Sequence, residues 1–150
     1  MLVLQFLTTA MAEEPGWRDF ALPRLQERLG AVRGTVVLGT LWGCWHLPLF
    51  LSDGGGWPDV SPWAPIEFVA ACIPLSLVMT WVSNRTGQSL PIVMFLHAGV
   101  SSASSSVWSE IYPTLDVMRD PLHVQLIATT VALVLIIATR GRLGLSVPTR

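Results

Sequence analysis

The sequence has no lysine, few charged residues and only two cysteines, and each shortage excludes a class of protein. All nine basic residues are arginines, and they form no basic tract of the kind that binds nucleic acid. Both cysteines lie in apolar segments, so buried thiols are expected rather than a disulfide framework. Charged residues make up 13% of the chain, whereas ordinary soluble domains have about 25%. These shortages disfavour a nucleic-acid-binding protein, a disulfide scaffold and a soluble domain.

The chain also lacks the basic start of a removable signal peptide. Residues 1–12 are mostly apolar and contain no basic residue. This run is too short to span a bilayer unless its helix continues through Glu13 and Glu14. We therefore expect residues 1–150 to form a single domain that begins with a short membrane segment.

Four long apolar runs occupy most of the remaining sequence. Hydrophobic residues make up 51% of the chain, and each run is close to the ~20 residues that cross the hydrocarbon core as a helix. This arrangement predicts an all-α fold, a polytopic transmembrane helical bundle with about five membrane segments in the lipid bilayer. The runs cover residues 31–51, 64–82, 90–108 and 122–139.

The arginines alternate between the connections of these runs. One group follows the opening apolar segment, one arginine lies between the runs 64–82 and 90–108, and a second group follows the last run; only Arg119 falls in a connection of the other set. The two groups and the single residue are Arg18, Arg24, Arg28 and Arg33, then Arg85, then Arg140, Arg142 and Arg150. The positive-inside rule places these connections in the cytoplasm. We predict a multi-pass protein of the cytoplasmic membrane in which the "EEPGWR" end of the first helix faces the cytoplasm.

Five ionisable residues fall at membrane depth, where such groups are costly and usually line a bundle interior or a wet cavity. If the first helix extends to Pro23, three residues each lie roughly ten residues from the cytoplasmic boundary, or ~15 Å along a helix. These three are Glu14, His46 and His97. Three helices then place titratable groups at one level. The five residues are Glu13, Glu14, Arg18, His46 and His97.

Helix geometry gives the two acids separate directions. Glu14 and Arg18 are at i, i+4 and share a face, so they can pair. Glu13 is rotated by about 100° and points elsewhere. Two adjacent carboxylates are therefore predicted to have two different roles.

The two histidines lie beside other polar or broken positions. His97 and Ser101 share a helix face at i, i+4. Pro48, two residues after His46, lacks an N–H and frees the carbonyl of Cys44. Such broken backbone is tolerated at membrane depth only beside protein or water, which predicts a small aqueous pocket.

Two imidazoles and a carboxylate are consistent with more than one chemistry. They can form a zinc site, or they can orient a water without a metal while the carboxylate acts as general base. The sequence has no H-E-x-x-H pair, which disfavours a zincin arrangement. A proton or ion pathway is less favoured because the polar residues cluster at one depth and none continues outward.

Three segments resemble the motifs of a known family. "EEPGWRDFALPRLQ" is similar to the E-E-x-x-x-R motif of the CPBP family, "WGCWH" (42–46) resembles its second motif, and "HAGVS" (97–101) resembles its third, H-x-x-x-N. These are CAAX prenyl proteases and bacteriocin-processing intramembrane endopeptidases, related to Rce1-type enzymes and also called the Abi family. The three segments occur in the family's order, and the resemblance covers roughly residues 8 to 108.

The resemblance implies a role for each matching residue. It makes Glu13 the general base, Glu14 and Arg18 its support, and His46 and His97 the groups that orient the water and stabilise the oxyanion. The cavity would open toward the cytoplasm. We favour a metal-free, glutamate-based hydrolysis that needs no cofactor. The alternative is a zinc ion bound by Glu13, His46 and His97.

Two positions depart from the family pattern. Ser101 stands where the motif has Asn, and Trp42 stands where it usually has Phe. The chain is also short for the family, which normally has further N-terminal helices, so a truncated or minimal member is expected.

The implied function is hydrolysis of a peptide bond in a membrane-embedded or lipidated substrate, either a prenylated or a bacteriocin-type peptide. No nucleic-acid partner is expected. The alternative is a catalytically inactive membrane scaffold of the same family that acts in immunity or partner binding, and the Ser101 departure is its main support.

Overall fold

The computed structural model describes residues 1–52, 58–59, 61–103 and 122–145, and of residues 122–124 only the backbone. Throughout these described residues the regular structure is helical, which confirms the predicted all-α bundle. We number five helices: α1 (residues 2–29), α2 (Ala31–Trp45), α3 (Ala64–Arg85), α4 (Leu90–Ser102) and α5 (Leu122–Ala138).

The first helix is longer than the sequence predicts and is irregular around the acidic pair. Helical backbone angles continue through every junction between residues 2 and 29, so α1 is one helix. Two π-helical segments, Phe6–Ala10 and Pro15–Ala21, flank the α-helical turn Met11–Glu14. Pro15 opens the second of these segments and Pro23 follows it, and neither proline can make a regular i→i−4 bond. The helix therefore passes Pro23 and ends at Gly30, whose φ of 79° requires a glycine-like backbone.

The end of α2 confirms the expected effect of Pro48. The α-helix stops at Trp45, and a 3-10 turn follows over Leu47–Leu51. His46 occupies the junction, so its side chain is held at a helix end and not within a regular turn.

Two described helical segments are long and apolar enough to cross a membrane by length and composition: Ala31–Leu51, which is α2 with the 3-10 turn that follows it, and Ala64–Arg85, which is α3. The other two predicted spans contain shorter apolar helices within the described residues, Leu90–Ser102 and Gln125–Ala138. Residues 104–108 of the third apolar run lie outside the described part. Large apolar side chains are exposed on all five helices, as lipid contact requires.

Glycines allow α2 to lie close to α3. A Cβ at Gly39 would come within 2.9 Å of the Cα of Ile73, and one at Gly43 within 2.8 Å of the Cα of Val69. These glycines form a G-x-x-x-G pair, the spacing with which membrane helices approach closely. The helices are also joined by a hydrogen bond of 3.2 Å between the buried hydroxyls of Thr35 and Thr80.

The remaining helices pack around this pair. The last turns of α1 lie on α2, the first half of α1 lies along α4, and α5 packs on α3. Cys72 is buried in α3 as expected, whereas Cys44 is exposed, so the prediction of a buried thiol is wrong there. Cys44 follows Gly43 directly, and the glycine occupies the face that contacts α3, so Cys44 points away from it.

The arginine-bearing helix ends meet at one end of the bundle. The side-chain amide of Asn84 donates to the carbonyl of Leu143 over 2.9 Å. A Cβ at Gly144 would meet the Cδ of Arg85, and one at Gly141 would lie 3.9 Å from Val32. The end of α3, the turn after α5 and the start of α2 therefore share one end, as the alternation of arginines predicts.

Candidate active site

Three helices bring the predicted polar residues together inside the bundle. Helix α1 supplies Glu13, Glu14 and Arg18, the end of α2 supplies His46, and α4 supplies His97. Glu14 is fully buried, and Glu13, Arg18 and His97 are at most 7% exposed. Ionisable groups this deep require partners, because burying an unpaired charge is costly.

Glu14 joins α1 to α4. Its Oε1 accepts a hydrogen bond of 3.1 Å from Nη1 of Arg18, as the i, i+4 spacing predicts. The same oxygen lies 2.6 Å from Nδ1 of His97. A carboxylate only accepts, so Nδ1 of His97 is the donor, and Nε2 is left for other chemistry.

Arg18 extends this cluster to α3. Its Nη2 lies 3.4 Å from the hydroxyl of Ser76 and 3.2 Å from the sulfur of Met79. Its guanidinium also lies 4.8 Å from the ring centre of Trp42, within range of a cation–π contact. Arg18 thus fixes the middle of α1 against two other helices.

Glu13 has a different set of partners, as the rotation between the two acids predicts. Its Oε2 accepts a hydrogen bond of 2.7 Å from the indole Nε1 of Trp42. Its Oε1 lies 3.9 Å from Nε2 of His46. That separation is too long for a direct hydrogen bond and leaves room for a water that contacts both atoms.

The orientation of His46 follows from its backbone contact. Its Nδ1 lies 2.8 Å from the carbonyl oxygen of Trp42. A carbonyl only accepts, so Nδ1 carries a proton, and in the neutral ring Nε2 is an acceptor. Nε2 of His46 and Oε1 of Glu13 can therefore each accept one proton of the same water.

Aromatic rings surround the imidazoles. The Trp42 ring makes edge-to-face contacts with His46 and His97, at centroid distances of 5.6 and 5.4 Å. Trp45 and Phe68 lie 5.0 and 5.2 Å from His46. These rings give the imidazoles largely apolar neighbours, and electrostatic interactions are stronger in such a low-dielectric setting.

Ser101 lies one turn after His97 on α4 and is half-buried. Its hydroxyl forms no hydrogen bond with the other predicted site residues, all of which the structure describes. The position agrees with the i, i+4 expectation, but the serine is not part of the hydrogen-bonded cluster.

Two buried polar atoms of the cluster have no protein partner among the described residues. They are Oε2 of Glu14 and Nε of Arg18. Buried polar atoms are normally satisfied by protein or ordered water. The prediction of a small aqueous pocket is consistent with these atoms.

The alternative zinc site is not assembled by the described side chains. Among them, no group of three His, Cys, Asp or Glu residues lies close enough to hold a metal ion. One oxygen of Glu13 is engaged by Trp42, and Nδ1 of His97 is engaged by Glu14. We derive no chemical step through a metal from this arrangement.

Sequence reasoning missed the contacts that cross between helices. It did not predict the Glu14–His97 contact, the bond from Trp42 to Glu13, or Ser76 and Met79 as partners of Arg18. A signal was available for one of them, because Ser76 and Thr80 form a polar i, i+4 pair inside an otherwise apolar helix.

The fold and the site define an α-helical membrane protein with a buried cluster of acids, imidazoles and one guanidinium. A model of the family described as "Type II CAAX prenyl endopeptidase Rce1-like" matches residues 1–103. The chain belongs to this family, in agreement with the motif resemblance.

A curated relative shares part of the chain. The chain is 27% identical over 94 residues to a protein of Methanococcus maripaludis named "CAAX prenyl protease 2". The match covers 61% of this chain and 35% of the relative, so the chain spans about a third of that relative's length. No solved structure matches the chain.

Proposed function

We propose that this chain carries the site of an intramembrane endopeptidase that hydrolyses a peptide bond with a glutamate-activated water. The observation that carries the proposal is the 3.9 Å separation of Glu13 Oε1 and His46 Nε2, which fits a shared water. Membership in the Rce1-like family and the name of the archaeal relative support peptide-bond hydrolysis.

The first chemical step is attack by this water on the scissile carbonyl carbon. One water proton points to Glu13 and the other to His46, so the oxygen lone pairs remain free to attack. Glu13 accepts the proton as general base while the C–O bond forms. The protonated Glu13 then returns this proton to the leaving amine nitrogen as the C–N bond breaks.

The tetrahedral intermediate needs donors for its oxyanion. In this proposal Nε2 of His97 faces the oxyanion and donates to it, while Glu14 holds the ring by accepting from Nδ1. The Ser101 hydroxyl is a second donor in this proposal. Such donors are effective because they are positioned before the charge develops.

An apolar groove beside the site supports a membrane-embedded or lipidated substrate. The groove has a volume of about 410 Å³ and lies next to His46, since Leu47 and Val69 belong to its wall. It suits an apolar chain, such as a prenyl group or an apolar side chain. Its lining residues are Leu47, Pro65, Ile66, Val69, Ala70 and Ile73.

The proposed location is the cytoplasmic membrane, with the site reached from the cytoplasmic side. The arginines at one end of the bundle support this orientation. No resident cofactor enters the proposed reaction.

The proposal is tested with Glu13→Gln in liposomes that contain a prenylated or membrane-embedded peptide. The amide cannot act as a base but still accepts from Trp42, so we expect cleavage to be abolished while circular dichroism still shows a folded protein. Asp19→Asn, an exposed acid on the same helix, is the control and should keep wild-type turnover. Retained turnover in Glu13→Gln would contradict the proposal.

The catalytically inactive scaffold remains the second candidate because Ser101 replaces the asparagine of the motif. It predicts that changes at Glu13, His46 and His97 leave the cellular phenotype unchanged. The endopeptidase proposal predicts loss of the phenotype in all three variants.

A further inference from the structure

Trp42 contacts both the Glu13–His46 pair and the cluster of Glu14, Arg18 and His97, and it contributes no group to the proposed reaction. Its ring lies between the two imidazoles and under the Arg18 guanidinium. The residue is 4% exposed. A large buried aromatic residue is usually explained by packing alone.

A directed hydrogen bond goes beyond packing. The indole N–H donates to Glu13 over 2.7 Å, a length typical of strong bonds to charged acceptors. A phenylalanine ring has no donor, so a phenylalanine at this position, the usual residue of the motif, cannot make this bond. Within the described residues this is the hydrogen bond that holds the Glu13 carboxylate.

The bond decides which Glu13 oxygen is available. With Oε2 engaged by the indole, Oε1 is turned toward Nε2 of His46. The backbone carbonyl of the same residue holds Nδ1 of His46 and fixes which ring nitrogen is protonated. One residue thereby sets the relative placement of both groups that contact the water.

We propose that Trp42 is a positioning residue: its indole N–H locks the Glu13 carboxylate in the rotamer that presents Oε1 to the water shared with His46. This inference rests on the proposed function. It predicts that removal of the N–H alone, with the ring kept, lowers kcat and leaves KM unchanged.

The test replaces Trp42 by 3-benzothienylalanine, an isostere in which sulfur stands in place of the N–H. A hydrogen bond to a charged group contributes enough that kcat should fall about tenfold to a hundredfold. Trp81→3-benzothienylalanine is the matched control and should behave as wild type. Trp42→Phe, which also lacks the donor, should lose at least as much turnover.

A second measurement does not depend on turnover. In protein labelled with ¹⁵N-tryptophan in nanodiscs, the indole N–H resonance of Trp42 should shift in Glu13→Gln and exchange faster with solvent in Glu13→Ala. The resonance of Trp17, on the same helix as Glu13, should not move.

The outcomes separate this inference from the proposed function. Two results would overturn the positioning role: a wild-type kcat in the 3-benzothienylalanine variant, or a Trp42 indole resonance that is unchanged in the Glu13 variants. Full turnover in Glu13→Gln, together with a Glu13-dependent Trp42 resonance, would overturn the proposed function while the bond itself stands. Reduced kcat at unchanged KM together with the resonance shift supports the role.

Discussion

At the scale of single residues, the site depends on a set of buried ionisable groups that are joined by shared hydrogen bonds. Glu14 accepts from both Arg18 and His97 through one oxygen. Arg18 in turn contacts α3 through Ser76 and Met79. Removing one charged member therefore leaves a buried charge that its remaining partners compensate only in part, which is costlier than removing both charges of a pair.

Arg18→Met should strongly destabilise the protein, because it leaves Glu14 buried without its guanidinium. We expect a loss of about 3–5 kcal/mol in the free energy of unfolding, measured by denaturant titration in mixed micelles. The double variant Arg18→Met with Glu14→Gln should recover part of this loss. The control is Arg28→Met, an exposed arginine on the same helix. Equal stability of the two single variants would refute the argument.

Ser101 is the residue whose substitution most directly distinguishes the endopeptidase proposal from the inactive-scaffold alternative. If its hydroxyl donates to the oxyanion, Ser101→Ala should lower kcat by ~10²–10³-fold. Ser101→Asn should keep or raise turnover, because the amide also donates and reaches further. Peptide cleavage in liposomes measures both, with the exposed Ser61→Ala as control. Unchanged kcat in Ser101→Ala would remove the serine from the mechanism.

At the scale of helices, the α2–α3 contact sets the position of His46. Gly43 is one turn before His46, and its missing Cβ lets the two backbones approach. Any side chain at this position must displace α3 or shift the end of α2. Small residues at such crossings are therefore linked to the geometry of the site.

Gly43→Val should impair both stability and turnover. A Cβ there would lie 2.8 Å from a backbone carbon, and overpacking of this kind costs about 1–3 kcal/mol. Gly99→Ala, where a Cβ meets nothing within 4 Å, is the control and should be neutral or slightly stabilising. Unfolding in mixed micelles checks both variants, and a neutral Gly43→Val would show that the helices can separate freely.

The helices also show which parts of the structure the sequence can predict. The apolar runs predicted the helical bundle and the i, i+4 spacing predicted the Glu14–Arg18 pair, because both features depend on local geometry. The Glu14–His97 contact joins residues 83 apart in sequence. It depends on the phase of α1, which two π segments alter, and on the packing between helices. Neither has a local signal in the sequence.

At the scale of the whole molecule, apolar side chains are exposed on the helices, as in a membrane protein, and the arginine-bearing helix ends lie at one end of the bundle. Arg28 lies at the end of α1, and Asp59 lies in the connection before α3, at the opposite end of α2. The proposed orientation places Arg28 in the cytoplasm and Asp59 outside.

Thiol labelling checks this orientation. In a background with Cys44→Ala and Cys72→Ala, a membrane-impermeant maleimide added to intact cells should label Asp59→Cys and not Arg28→Cys. Permeabilised cells should allow labelling of both, since both positions are exposed. The reverse pattern in intact cells would invert the topology and place the site on the outer side.

The charge set on α1 also has a consequence for biogenesis. Helix α1 is synthesised before α3 and α4, yet its arginine contacts Ser76, 58 residues later, and its buried acid contacts His97, 83 residues later. Until those partners are synthesised, lipid alone is a poor environment for two acids and a guanidinium. The nascent helix should therefore wait in the translocon or beside an insertase, and it should enter the bilayer together with its later neighbours.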